Sequence, residues 1–171
     1  MDWNAIGAIA ETVGAVGVII TLVYVALQIR QNTKQLRGDA IATVNEAEVT
    51  LLRDFRDDMD LVASYVTVSS DWNSGTPQQQ VRAQAHLVAW ARNCETAYFL
   101  WQSDALPEMI YKTREDHLLS IISSPGLRMW WDMCNGIFES NFVSRITIRA
   151  DKEEVPTSLA HQPWFSAEHW T

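Results

Sequence analysis

A chain of 171 residues that is 47% hydrophobic and carries eight tryptophans is too apolar and too aromatic for disorder. Its net charge of −8 argues against a nucleic-acid partner, because phosphate binding needs a basic footprint. Cys94 and Cys134 are far apart and form no CxxC pair. They read as reduced, buried thiols, with no further ligand at a zinc-like spacing.

The first element begins at Gly7 with GAIAETVGAVGVIITLVYVALQIRQNTKQLR. Residues 12–29 hold no charge, and 18 such residues qualify as a membrane span. A cleaved signal peptide fits poorly, since Asp2 stands where Lys or Arg belongs and no small-x-small site follows the apolar run. Arg30, Lys34 and Arg37 follow the span, whereas only Asp2, Glu11 and the terminal amine precede it. The positive-inside rule then places Met1 outside and the rest of the chain in the cytoplasm.

Gly7, Ala10, Gly14, Gly17 and Thr21 are spaced 3, 4, 3 and 4 residues apart. On a helix they share a stripe about 80° wide. The opposite side carries Ile9, Val13, Val16, Ile20, Val23 and Leu27. A bulky side suits lipid, and a notched side suits another helix, where small residues let backbones approach. Glu11 lies beside the stripe near the outer end, as an intramembrane polar contact or an acid solvated at the interface.

Downstream, no Pro occurs before Pro77 and only Gly38 interrupts the stretch to Gly75, so the span is expected to continue as a helix. Val44, Leu51, Leu52, Phe55, Met59 and Val62 mark an apolar stripe at helical period. DWNSGTPQQQ is a loop, with Thr76 as cap and Pro77 first inside the next helix. That helix aligns Leu87, Trp90, Ala91, Cys94, Ala97, Tyr98 and Trp101, and another runs from about Pro107 to Ile122. SSPG repeats the start signal at Ser124–Pro125. A short helix follows over about Glu139 to Thr147; RITIRA alternates weakly like a strand but has no partner.

From Asp151 onward, two prolines and no helical period predict an extended strap, docked on this domain or on a partner through Trp164, Phe165 and Trp170. Trp130 and Trp131 point to adjacent sides of one helix. One is expected to plug the core and the other to cover a neighbour or a partner.

The stretch AIGAIAETVGAVGVIITLVYVALQIRQNTKQLR and the later SSPGLRMWWDMCNGIFESNF resemble a group of uncharacterised small bacterial membrane proteins. These pair a glycine-rich span ending in the ALQIRQNT kind of collar with a helical domain containing an SPG…WW element. The resemblance covers the span, the collar and the Pro125 helix. It implies a single-pass protein of the bacterial inner membrane, and it brings no activity and no catalytic residues. The aromatic tail after Ala150 departs from the group.

Chemistry-bearing motifs are sparse. His86, His117, His161 and His169 are scattered, and RDFRDDMD reads as a solvated face of Asp54, Asp57, Asp58 and Asp60 with Arg53 and Arg56. No GxSxG, HExxH, GxGxxG or phosphate loop is present. The expected protein is therefore all-α: a segment over 1–29 with the transmembrane helix, a cytoplasmic bundle of about four or five helices over 30–150, and a tail over 151–171. The expected function is a non-enzymatic accessory or scaffold subunit of a larger membrane complex of bioenergetic or photosynthetic kind, with no cofactor and no metal. Its partners are membrane lipid and other membrane subunits, with a hetero-complex ahead of a homo-oligomer. The alternatives are a ring or channel-like homo-oligomer and a small-molecule sensor with a pocket in the helical domain.

Overall fold

Helix α1 runs from Trp3 to Asp57 in the computed structural model, which describes residues 3–152 and gives backbone only for residues 3–10, 12 and 13. Gly38 costs a helix interior about 1 kcal/mol, and the helix continues through it. All described residues fall in helices, turns and short connections, with no strand among them. Two compact units divide the chain between Asp39 and Ala40, beyond the polar collar and not at the 29/30 step where charge begins. The boundary follows packing, since Ile41 and Val44 are the first side chains against the core of the second unit.

The first unit, 1–39, holds the apolar stretch of α1 and the polar collar that follows it. The second unit, 40–171, begins with the end of α1 and continues as α2 (Met59–Ser70), α3 (Pro77–Gln102), α4 (Glu108–Ile122), α5 (Pro125–Cys134) and α6 (Ser140–Asp151). Single 3-10 turns at Trp72–Ser74 and Asn135–Ile137 join α2 to α3 and α5 to α6. The stripe from Val44 to Val62 was expected on one helix, but Asp58 breaks it. Its backbone turns extended, and its side chain accepts from Leu61 N at 3.0 Å, so it caps a new helix. With this break the described residues form six α-helices where the spacing led to about four or five.

The start of α3 matches its sequence signal and adds a reciprocal cap. Gln79 N donates to Thr76 Oγ1 at 3.3 Å, and Thr76 N donates to Gln79 Oε1 at 2.9 Å. Ser124 sits at the expected cap position of α5 but caps nothing, since its hydroxyl donates back to the Ile121 carbonyl at 3.3 Å. RITIRA is helical, within α6. Phe142 and Ile146, four apart, are both fully buried, while Ile148 is 55% exposed. Burial at helical spacing outweighs the alternation.

The core of the second unit joins Leu87 and Tyr98 of α3, Tyr111, Leu118 and Leu119 of α4, Trp130 and Trp131 of α5, and Phe142 and Ile146 of α6. Alpha-3 packs on α2 and α4, and α5 packs on α2 and α4. The approach of α5 to α2 depends on Gly126. A Cβ there would collide with the Val68 carbonyl oxygen and lie 2.8 Å from Trp72 N and 2.9 Å from Asp71 N. Only glycine fits against this backbone.

Candidate functional site

Two regions bear on function: the apolar stretch of the first unit and the polar clusters of the second. Along α1, Val18, Ile19, Ile20, Leu22 and Val23 are each more than half exposed, as are Leu27 and Ile29. At 100° per residue these positions cover an arc of about 200°, and Gly17, Thr21, Tyr24 and Val25, all exposed, fill the rest of the circumference. Such a surface is not the one-sided stripe that a globular core covers. This is one helix long and apolar enough to cross a membrane.

Of the small-residue stripe, Gly14, Gly17 and Thr21 are exposed. Beyond the helix's own backbone, nothing among the described residues lies within 4 Å of a Cβ built at Gly14 or Gly17, so packing among those residues does not require glycine at either. Thr21 donates its hydroxyl to the Gly17 carbonyl at 2.9 Å, which satisfies its polar atom within the helix. Glu11 is exposed, and Gly7 and Ala10 lie on α1 in the part described by backbone only. Trp164, Phe165 and Trp170 lie outside the described residues.

Trp130 and Trp131 were expected to divide between core and partner, but both are fully buried. Trp131 stacks on Phe138 at 5.7 Å and donates its Nε1 to Thr147 at 3.2 Å. Adjacent directions on α5 are both covered because α6 closes over one flank while α2 and α4 hold the other. Neither indole offers surface to a partner.

Sequence reasoning missed the polar groups that the fold brings together. The fully buried Glu115 of α4 accepts from Arg145 Nε at 2.5 Å and Nη2 at 3.1 Å, from Tyr111 Oη at 3.1 Å, and from Arg149. Arg149 also holds Asp116 at 2.8 Å. The two arginines stand four apart in RITIR, which puts them on one face of α6; their target could not be read without the α4 to α6 contact. Glu95, also buried, accepts from Glu139 N at 2.7 Å. Glu48, near the end of α1, pairs with Arg114 and stands 3.4 Å from His117 Nδ1.

His86 is a satisfied core histidine. Its Nε2 lies 3.0 Å from the Leu51 carbonyl oxygen and its Nδ1 lies 2.9 Å from Tyr65 Oη. A carbonyl only accepts, so Nε2 carries the proton and Tyr65 donates to Nδ1. Burial pushes the imidazole below its ordinary range, against smaller opposing effects of the Leu51 carbonyl and Asp54. The ring flanks an open cleft of about 500 Å³ lined by Leu51, Asp54, Leu61 and Arg82. Asp54, Asp57 and Asp60 are exposed with Arg53 and Arg56, as expected of a solvated face, and Arg82 of α3 adds a bridge to Asp58 and Asp60 at 3.1 Å to each.

The thiols are free, with Cys94 buried and Cys134 half-buried. Burial first, and the Glu115 carboxylate next, push the Cys94 thiol well above its ordinary value, which makes it unreactive. Among the described residues, no three His, Cys, Asp or Glu side chains converge as a metal site. No family model, curated protein or solved structure matches this chain.

Proposed function

We propose that this chain is a single-pass membrane protein that works by contact, as an accessory or scaffold subunit of a larger membrane assembly. One observation carries the reading: the apolar surface of α1 over residues 16–29 is exposed all round the helix. Lipid is the environment in which such a surface is stable, and its length of 18 uncharged residues, about 27 Å at 1.5 Å per residue, matches a bilayer core. The notched side of that helix is the proposed face for a partner subunit, because no packing neighbour among the described residues meets a Cβ built at Gly14 or Gly17. The cations after the span, Arg30, Lys34 and Arg37, support a cytoplasmic second unit. The resemblance to bacterial inner-membrane proteins supports that membrane as its location.

Purification in mild detergent followed by mass analysis tests the reading. Foreign membrane chains in stoichiometric amount are the expected result. A pure homo-oligomer replaces the accessory reading with a self-assembling one. A lone monomer, or release of the chain from membranes by alkaline carbonate, overturns it. Topology is read separately, by labelling a cysteine added at the C-terminus of a Cys134→Ser chain in sealed vesicles of both orientations. Labelling from the periplasmic side alone rejects the orientation.

A further inference from the structure

We propose that Arg30, Lys34 and Arg37 form a one-sided cationic row that binds the headgroups of anionic lipids, a surface that rests on the membrane reading of α1. The three are spaced 4 and 3 apart, all lie on α1 and all are exposed. At 100° per residue they occupy an arc only about 60° wide. The centre of that arc is about 160° from the stripe of Gly14, Gly17 and Thr21, and about 40° from the bulky row of Val16, Ile20, Val23 and Leu27. Those bulky side chains are all at least half exposed. The stripe side continues past the span with uncharged amides, Gln28, Asn32 and Gln35, which are also exposed.

Alpha-1 therefore has two unlike sides over its whole membrane-proximal length. One is small and then neutral; the other is bulky and then cationic. A helix partner seated on the small side leaves the cations directed at the lipid that surrounds the bulky side. The row spans about 10 Å along the axis, beginning directly after Ile29. That places its charges in and just beyond the headgroup layer, where long Lys and Arg stems reach phosphate while their methylenes stay in apolar surroundings. Orientation during insertion alone needs the cations on one end of the span, not on one side of it. Their angular clustering is the feature that headgroup binding explains.

The test uses the full chain reconstituted into symmetric phosphatidylcholine vesicles with trace spin-labelled phosphatidylglycerol or spin-labelled phosphatidylcholine. The motionally restricted fraction of each probe gives the relative association. Symmetric vesicles remove any effect of a changed topology. The parent is expected to favour the anionic probe by about threefold or more, falling toward parity in Arg30→Gln/Lys34→Gln/Arg37→Gln and shrinking in about 1 M salt. Arg30→Lys/Arg37→Lys should keep the preference. No preference in the parent, or an undiminished one in the triple Gln chain, overturns the proposal. Carbonate extraction of the same vesicles separates the two failures: a chain that stays inserted without lipid preference sinks only the headgroup row, while an extracted chain sinks the span and the row together.

Discussion

Glu115 and Arg145 meet at 2.5 Å with the Glu115 side chain fully buried and the Arg145 side chain still 37% exposed. This asymmetry decides what the pair does. The acid has no access to water and depends on Arg145, Arg149 and Tyr111 for all its hydrogen bonds, so it fixes α6 on α4. The arginines remain partly hydrated, and Arg145 also lies 5.1 Å over the Trp101 ring and 5.3 Å over Tyr111.

Removing the acid is therefore expected to cost less than an entirely buried pair would lose. Glu115→Gln should destabilise the second unit by about 3 kcal/mol, the lower end for breaking a buried ion pair, since both arginines can rehydrate. Arg56→Gln, which breaks the exposed Arg56–Asp57 pair, should leave stability unchanged. Urea unfolding of the full chain in mild detergent, followed by tryptophan fluorescence, reads both. Equal midpoints for the two variants would show that the α4 to α6 cluster adds nothing.

Acid should weaken the second unit in a window set by two histidines. Burial lowers His86, and burial also lowers His117 against the opposing Glu48 carboxylate. Asp54 faces His86 from α1, and Arg114 adds to the lowering at His117. With both folded values below the unfolded one near 6.5, the unfolded chain binds more protons as pH falls through that value. Stability is then whole above about pH 6.5 and declines from there down through the folded values, below which the histidines add no further slope. His86→Phe should be less stable at neutral pH, because buried Tyr65 loses its acceptor, yet show a shallower decline toward about pH 5.5. Thermal midpoints at several pH values measure this. A slope in His86→Phe as steep as the parent's would remove His86 from the explanation.

Two glycine-to-alanine changes should move stability in opposite directions. Gly126→Ala forces a Cβ against the Val68 carbonyl and the Trp72 and Asp71 amides, backbone that cannot swing aside. A loss of about 3 kcal/mol or more is expected, at or beyond the upper range for overpacking. Gly38→Ala meets nothing within 4 Å and should favour the helical form of α1 by up to about 1 kcal/mol. Circular dichroism melts of the two chains compare them. A tolerated Gly126→Ala would mean that α5 can shift away from α2.

Local signals in this sequence were legible where one residue type decides the backbone. Pro77 and Pro125 mark helix starts, Thr76 with Gln79 closes a cap, and the spacing of Tyr98, Trp101 and Leu118 follows from which face is buried. The break at Asp58 was not legible, because RDFRDDMD continues the helical stripe and nothing in it announces that one Asp will cap the next helix. Both tryptophans of α5 were expected to differ in burial, since a single helix flank covers only one direction. The core encloses both because α5 packs on α2 and α4 while Trp131 also reaches Thr147 of α6, a fact of tertiary packing. Glu115 was hidden for the same reason: an acid in a helical stretch reads as surface until the arginines of α6 are seen beside it.

The notch on α1 gives the most direct test of how the protein works. If a partner helix lies along Gly14 and Gly17, a leucine at either site separates the backbones and forfeits close packing. Insertion should not suffer, since leucine favours the membrane by about 0.5 kcal/mol. Among the described residues, no packing neighbour meets a Cβ built at either glycine, so the second unit should melt as the parent does. Gly14→Leu and Gly17→Leu are therefore expected to lower co-purification with partner chains, or cross-linked oligomer, about tenfold at matched membrane levels, the effect of roughly 1.4 kcal/mol. Val16→Leu, on the bulky side, should change little. Glu11→Gln separates two roles for the acid: lost association means that it pairs with the partner, and unchanged association means that it is solvated at the interface. If both leucine variants associate like the parent, the glycines are ordinary membrane filler. The contact must then lie in the second unit or in the segment bearing Trp164, Phe165 and Trp170, since Trp130 and Trp131 are sealed in the core.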